Sequence, residues 1–319
     1  MTSVSGVGLR VIDLYCGLGG FSAGAIEAGA EVTLGVDCDS VPLKLWAANV
    51  SGGSAKLVTL GGDDDALTVL PSPSRELHVH ASPPCTDFSL ARSGSGGQDG
   101  DRLLRWTLDL VLKRGDYSWS LENVSTPQTR AVLNEYVARF PKLVAFTTLD
   151  AAEFGAAQTR IRLIAAPPKL IQLLLEMPSA RRVSVRDAFE TFGAELPSTH
   201  FKNQTRNRNG TACVRSVEEQ SFTVCASHAL TWCNREGQTH RVMTARESAV
   251  LMGFGSEWRL PQGSRKAQRA VGNALCVAMS RAIVRAAICT RADASAPPAS
   301  QISPSPELST RTTGSLNAP

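Results

Sequence analysis

The residues 81–92, ASPPCTDFSLAR, place a thiol on a rigid perch. Pro83 and Pro84 each fix their own φ and push the preceding residue toward extended geometry. The apolar run Leu77, Val79, Ala81 must therefore stop, and Cys85 is presented at its exit. A thiolate aimed in this way is a nucleophile, although a free cysteine buried for packing would look the same. A carboxyl stands at a second exit, where residues 117–122 end in Glu122 followed by Asn123. A third element, QTRIRLI (158–164), carries Arg160 and Arg162 two apart. At strand spacing both guanidinium groups lie on one face and need an anionic or carbonyl-rich partner.

A glycine loop completes the set. DLYCGLGGFS (13–22) contains Asp13, Tyr15, Gly17, Gly19 and Gly20 between a strand and a helix. Such glycines let the backbone approach a ligand closely, with helix N–H groups aimed at it. The next strand ends at Asp37, where folds of this type keep a carboxylate for ribose hydroxyls. The loop departs from the GxGxxG pattern of pyrophosphate binders, so a ribose ligand without phosphate, such as S-adenosylmethionine, fits better than NAD. Asp63 in GGDDDAL is a candidate acceptor for an adenine amino group, and a solvated acidic turn is the alternative.

These groups need elements to hold them. Strands are expected at 9–14, 31–36, 56–60, 77–82, 117–122, 143–149 and 161–166, and helices at 20–29, 40–49, 101–114 and 127–139. Strand alternating with helix implies an α/β fold, a doubly wound, mostly parallel sheet covered on both faces. Such sheets bind ligands at the carboxyl ends of their strands. The loop at 17–20, Cys85 and Glu122 all fall at such ends. The organisation read from composition is a catalytic and cofactor-binding domain at 1–166, a small, irregular target-recognition region at 167–240, a return to the catalytic domain at 241–289 and a disordered tail at 290–319. Helical patterning is expected over 244–252 and 264–288.

The chain has 319 residues, 43% hydrophobic and 19% charged, enough for a sizeable core. No apolar stretch reads as a membrane span and no signal pattern opens the chain, so a soluble, intracellular protein is expected, cytoplasmic or nuclear according to its source. Eight cysteines without CxxC spacing argue against a disulfide framework and against a metal. A net charge of +4 permits a nucleic-acid partner.

Taken in order, DLYCGLGGFS, SPPCTDFS, ENV, QTRIR, SFTV (221–224), MTARESAVLMGF (243–254) and GNA (272–274) resemble the signatures of the C5-cytosine-specific DNA methyltransferases over about residues 9–288. The chain departs from that pattern at Thr86, at Cys38 and after GNA. The resemblance implies an S-adenosylmethionine-dependent, Rossmann-like methyltransferase acting on double-stranded DNA, with no metal, no membrane and a monomeric state. It implies that Cys85 adds to C6 of a flipped-out cytosine, that Glu122 serves N3, and that Arg160 and Arg162 hold the base edge, a phosphate and Glu122. Asp13, Tyr15, Gly17, Gly19, Gly20, Asp37, Asp63 and Asn273 would hold the cofactor; Pro84, Ser89, Asn123, Arg206 and Arg208 would meet the substrate. Residues 91–101 would form a lid. A tRNA cytosine-C5 methyltransferase and a non-catalytic, DNA-binding regulatory homologue are the alternatives.

Overall fold

The computed structural model of the protein describes residues 8–61, 70–84, 98–116, 118–206 and 212–292, by backbone alone at 98–100, 204–206, 212 and 292. Seven strands form the main sheet: β1 (Arg10–Leu14), β2 (Glu31–Asp37), β3 (Ser54–Leu57), β4 (Leu77–Ala81), β5 (Ser118–Asn123), β6 (Ala145–Asp150) and β7 (Ile161–Ala166). Their order is β3-β2-β1-β4-β5-β7-β6. The first five run parallel, and β7 is inserted antiparallel between β5 and β6. Parallel neighbours need long crossovers. Helices α1 (Gly20–Glu27), α2 (Ser40–Asn49), α3 (Gln98–Arg114) and α4 (Pro127–Arg139) lie on these connections. The mostly parallel, doubly wound sheet expected from the sequence is present.

Strand order reverses between β1 and β4, which are hydrogen-bonded neighbours, with Asp13 opposite His80 and Leu14 opposite Ala81. The helices that follow these strands pack on opposite faces of the sheet, α1 in one core and α3 in the other, so this carboxyl edge is a topological switch point, where open α/β sheets form their binding crevice. Side-chain alternation gives the sheet two apolar faces. Leu77, Val79, Trp119 and Leu121 pack with Leu104 and Leu108 of α3. On the other face, Val11, Phe21, Ile164 and Ala166 share a core with α5 (Pro168–Glu176) and the final helix α9 (Val277–Ala292).

Two parts of the chain differ from the sequence expectation. The supposedly irregular stretch 178–240 contains α6 (Val185–Thr191) and most of a four-stranded antiparallel sheet, β11-β10-β8-β9. Its strands are β8 (His200–Arg206), β9 (Ala212–Ser216), β10 (Thr231–Cys233) and β11 (Thr239–Val242). β8 is polar apart from Phe201, so no alternation announces it. Its anchor is tertiary: Trp232 meets Phe189 and Phe201 edge-on at centroid distances of 5.6 and 6.3 Å.

The second difference is at 264–288. α7 (Ala245–Met252) forms as expected, but the next helical stretch breaks at Ala274–Cys276 into α8 (Ser264–Asn273) and α9. By length and composition Ser264–Arg291 would pass as a membrane span, contrary to the sequence expectation, yet 72% of its most apolar window is buried inside the fold. The broken turn lies against the glycine loop, where a Cβ on Gly20 would stand 2.2 Å from the Leu275 carbonyl oxygen. One turn on, a Cβ on Gly24 would stand 2.4 Å from the Ser280 Cβ. Close approach of α1 to α9 therefore depends on bare glycine at both positions.

Gly24→Ala is expected to cost about 1–3 kcal/mol through overpacking, read as a lower urea midpoint with an unchanged m-value.

Candidate active site

The loop after β1 carries its own strain. Tyr15 has φ 58°, the single non-glycine with positive φ among the described residues, and Gly17 and Gly19 follow at 50° and 89°. Asp37 ties the loop to β2, its Oδ2 accepting from the Gly17 N–H and its Oδ1 from the Asp39 N–H, both at 2.8 Å. Burial pushes its pKa up. A carboxylate has about four acceptor sites, so with backbone donors at Gly17, Cys38 and Asp39 some capacity remains for a hydroxyl donor. The Tyr15 hydroxyl meets Thr107 Oγ1 on α3 at 3.1 Å, and burial pushes the phenol up to about 12. Trp46 and Trp258 wall the loop at Gly19, and Trp258 Nε1 donates to the Leu18 carbonyl at 3.1 Å.

Asp13 is placed otherwise than the sequence suggested. It is 1% exposed and accepts from Ser22 Oγ at 2.6 Å, while Ser22 accepts from Trp46 Nε1 at 2.8 Å. It braces the loop from beneath rather than facing the crevice. Burial outweighs the Ser22 bond and pushes its pKa up to about 7. Asn273 is exposed at the end of α8, beside the turn that meets Gly20.

At the neighbouring strand exit, the Ser82 N–H donates to the Leu14 carbonyl at 3.2 Å. Pro83 is buried and Pro84 exposed. Asn123 Nδ2 donates to the Pro83 carbonyl at 3.1 Å and its Oδ1 accepts from the Val124 N–H at 2.8 Å, so this amide holds the proline turn. Cys85, Ser89, Asp63 and Arg208 lie outside the described residues, and Arg206 is described by backbone alone. Of the expected lid, 98–101 open α3 and 91–97 lie outside the described residues.

Glu122 ends β5 in a partly closed pair, with Arg162 Nε 2.9 Å from its Oε1. Arg162 Nη1 turns back to the Ile161 carbonyl at 2.7 Å. Arg160 does not join them at the crevice. It is 2% exposed, and Nη1 donates to the Val224 carbonyl at 2.8 Å. Nη2 donates to the Gly272 and Ala274 carbonyls at 2.9 and 3.0 Å. Burial, then the Arg162 charge, pull its pKa down to about 9, leaving it cationic at neutral pH. Its work is to join the SFTV and GNA segments. The basic side chains of the small sheet are also used locally: Lys202 donates to the Gly237 carbonyl at 2.6 Å and Arg215 to that of Gln220 at 2.9 Å.

One polar row escaped the sequence reading. His78 and His80 of β4 are fully buried on the α1 face, beside Ser118 and Ser120 of β5. His78 Nδ1 meets Ser118 Oγ at 2.7 Å and its Nε2 meets Ser120 Oγ at 2.9 Å. His80 Nδ1 meets Ser120 Oγ at 2.8 Å and its Nε2 meets Ser82 Oγ at 2.9 Å. Phe21 stacks on His80 at 3.6 Å between centroids. Burial holds both imidazoles neutral, His78 down to about 3 and His80 well below its ordinary value. The available signal was the period-two polar pattern inside LHVHAS.

A glycine loop and a proline-pair turn, with a carboxyl–guanidinium pair beside them, lie at a strand-order reversal, the place where open α/β sheets bind their ligands. The model for C-5 cytosine-specific DNA methylases matches residues 9–168 and 176–289, and the chain belongs to that family. It is 24% identical over 301 residues to the type II methyltransferase M.NlaX of Neisseria lactamica, covering 86% of this chain and 94% of that protein. It is 23% identical over 286 residues to M.HgiDI of Herpetosiphon aurantiacus, covering 84% and 91%. Among solved structures, a Spodoptera frugiperda DNMT2 variant superposes with a TM-score of 0.65 at 15% identity, over 88% of this chain and 99% of that one.

Two outcomes follow. Asp13 binds its proton more tightly folded than unfolded, so its contribution to stability is withdrawn as pH rises from 3.8 to about 7. Asp13→Asn should flatten that loss, on the order of 2 kcal/mol, in urea midpoints taken between about pH 4.5 and 7.5. Arg160→Lys, a point charge unable to span three carbonyls, should lose about 3 kcal/mol of stability by thermal unfolding.

Proposed function

We propose that this protein transfers a methyl group from S-adenosylmethionine to C5 of cytosine in double-stranded DNA. The observation carrying this reading is the meeting of the glycine loop, the Pro83–Pro84 turn and the Glu122–Arg162 pair at adjacent carboxyl ends of β1, β4 and β5, in a chain of this family. The loop fits the cofactor: a bare glycine at 17 with open space beside it, and the spare acceptor capacity of Asp37, suit a ribose and an adenosine that must lie close to backbone, while Gly20 is bare for packing against the turn before α9. Gly17, Gly19, Asp37 and Tyr15 would hold it. When bound, it supplies a methyl group activated by its sulfonium.

The rest is work for this chain's own groups. Carbon 5 of cytosine is a poor nucleophile until a thiolate adds at C6. In this reading the Cys85 sulfur forms the C6–S bond, and the displaced electron density runs toward N3. Glu122 gives N3 a proton or a hydrogen bond, with its Oε1 fixed by Arg162 so that the carboxyl cannot swing away. C5, now electron-rich as in an enamine, takes the methyl group. Loss of the C5 proton to water then lets the C6–S bond break, returning the thiolate. The target must leave the duplex first, at a cost of a few kcal/mol. Residues 167–240 would supply target recognition, with phosphate contacts from basic groups other than Lys202 and Arg215, which are engaged locally.

Labelled S-adenosylmethionine should transfer its methyl group to duplex DNA and not to tRNA, and Cys85→Ala should reduce transfer by about 10³-fold or more. Glu122→Gln should reduce it by about 10²–10⁴-fold with little change in cofactor affinity by calorimetry. Label in tRNA alone, or none in either nucleic acid, would sink the reading.

A further inference from the structure

The reaction as written has no use for His78 and His80, yet they form the largest buried polar array on the main sheet's α1 face. Five groups run in one unbroken hydrogen-bonded line: Ser118, His78, Ser120, His80 and Ser82. A neutral imidazole offers one donor and one acceptor, and a hydroxyl offers both, so every member is satisfied whichever way the line points. The hydroxyls could also accept from a charged ring, but burial holds both imidazoles neutral. The line has a direction in the fold. It climbs β4 and β5 toward their carboxyl ends and stops at Ser82, directly before the proline turn.

Strand register says what lies beside that last rung. Ala81 pairs with Leu121, so one step further Ser82, just past the end of β4, comes level with Glu122, which is still in β5 and paired with Ile164 of β7. Ser118, Ser120 and Glu122 alternate onto the same face of β5. The proline turn is thus gripped from both sides of the strand. Asn123 holds the Pro83 carbonyl, Leu14 accepts from the Ser82 N–H, and His80 holds the Ser82 hydroxyl. Phe21, from the helix that opens at the glycine loop, lies flat on His80 and stops its ring from turning.

We infer that His80, with His78 and Ser82, is a positioning residue of the active site: the ladder fixes the exit of β4 at Ser82, three residues before Cys85 in the sequence, and so governs the reactivity of that thiol. This rests on the methyl-transfer reading for its consequence in rate, but not for its effect on the strand exit. Buried polar ladders do serve packing uniqueness alone. The two uses separate experimentally, because a packing role does not distinguish the last rung from the rest.

Three variants test it. Ser82→Ala removes only the last rung, at a half-buried position that should fold. His80→Phe keeps a ring against Phe21 and drops the bond to Ser82. His80→Gln keeps a polar atom where Nε2 stands. The first readout is the rate at which a duplex containing 5-fluorocytosine, which has no C5 proton to lose, becomes covalently attached to the protein. Ser82→Ala and His80→Phe should slow attachment and kcat by about 10-fold to 100-fold, with Kd for DNA and cofactor within about twofold of wild type. His80→Gln should recover most of the rate. The second readout is alkylation of Cys85 by iodoacetamide, followed by peptide mass spectrometry without DNA or cofactor. It should change in the first two variants and much less in the third. If wild-type protein attaches to no DNA, the methyl-transfer reading fails while alkylation still decides the ladder. Attachment and alkylation rates within about twofold of wild type in Ser82→Ala and His80→Phe would overturn the inference. So would equal losses in His80→Gln and His80→Phe, which mark general damage to the core.

Discussion

Arg160 carries a full charge into a place that is 2% exposed, and its guanidinium ends on three backbone carbonyls from two distant segments. Burying a guanidinium costs several kcal/mol unless its donors are met. Here Nη1 is met by Val224 and Nη2 by Gly272 and Ala274, while Nε has no hydrogen-bond partner. The carbonyls gain as much as the arginine does. Those of Gly272 and Ala274 flank the helix break and would otherwise be unpaired in the interior. The charge and the break thus sit together, the guanidinium taking the Gly272 and Ala274 carbonyls where α8 ends.

From this junction the site can be built outward. The turn after α8 presents the Leu275 carbonyl to Gly20, which fixes the start of α1 and with it the glycine loop. Phe21 on that helix lies on His80, and His80 reaches Ser82 at the exit of β4. Asp13 and Trp46 meet through Ser22 beneath the same loop. The glycine loop and the proline turn at the exit of β4 are thus parts of one packed unit. A shift at the GNA turn would be felt at both, since close-packed interiors transmit displacement rather than absorb it.

The electrostatics of the crevice divide in the same way. Burial holds both histidines of the ladder neutral and pushes the pKa of Asp13 up to about 7, while Arg160 stays cationic. The paired charges, Glu122 and Arg162, stand at the strand ends. The Arg160 charge acts on both members of that pair, so the local field belongs to all three groups.

Much of this was legible in the residues. Alternation of apolar strands with helices gave the sheet, because burial on two faces demands that pattern wherever the chain goes. The glycines of 17–20 and the prolines 83 and 84 announced their turns, because their backbone restrictions are local. That an arginine would hold Glu122 came from the family resemblance, while strand parity said only that Arg160 and Arg162 share a face. What the residues did not announce depends on partners distant in the chain. Arg160 reads like Arg162, and only the fold shows one buried against carbonyls at 224, 272 and 274 and the other facing Glu122. Asn123 and Asp13 looked like ligand contacts and are braces. The small sheet was hidden because its stability comes from three aromatic rings meeting across 43 residues of sequence, Phe189, Phe201 and Trp232. Local pattern determined which elements form and where the chain must turn; tertiary packing decided which polar groups face the crevice and which hold it up, because that choice depends on which partner is near enough to replace water.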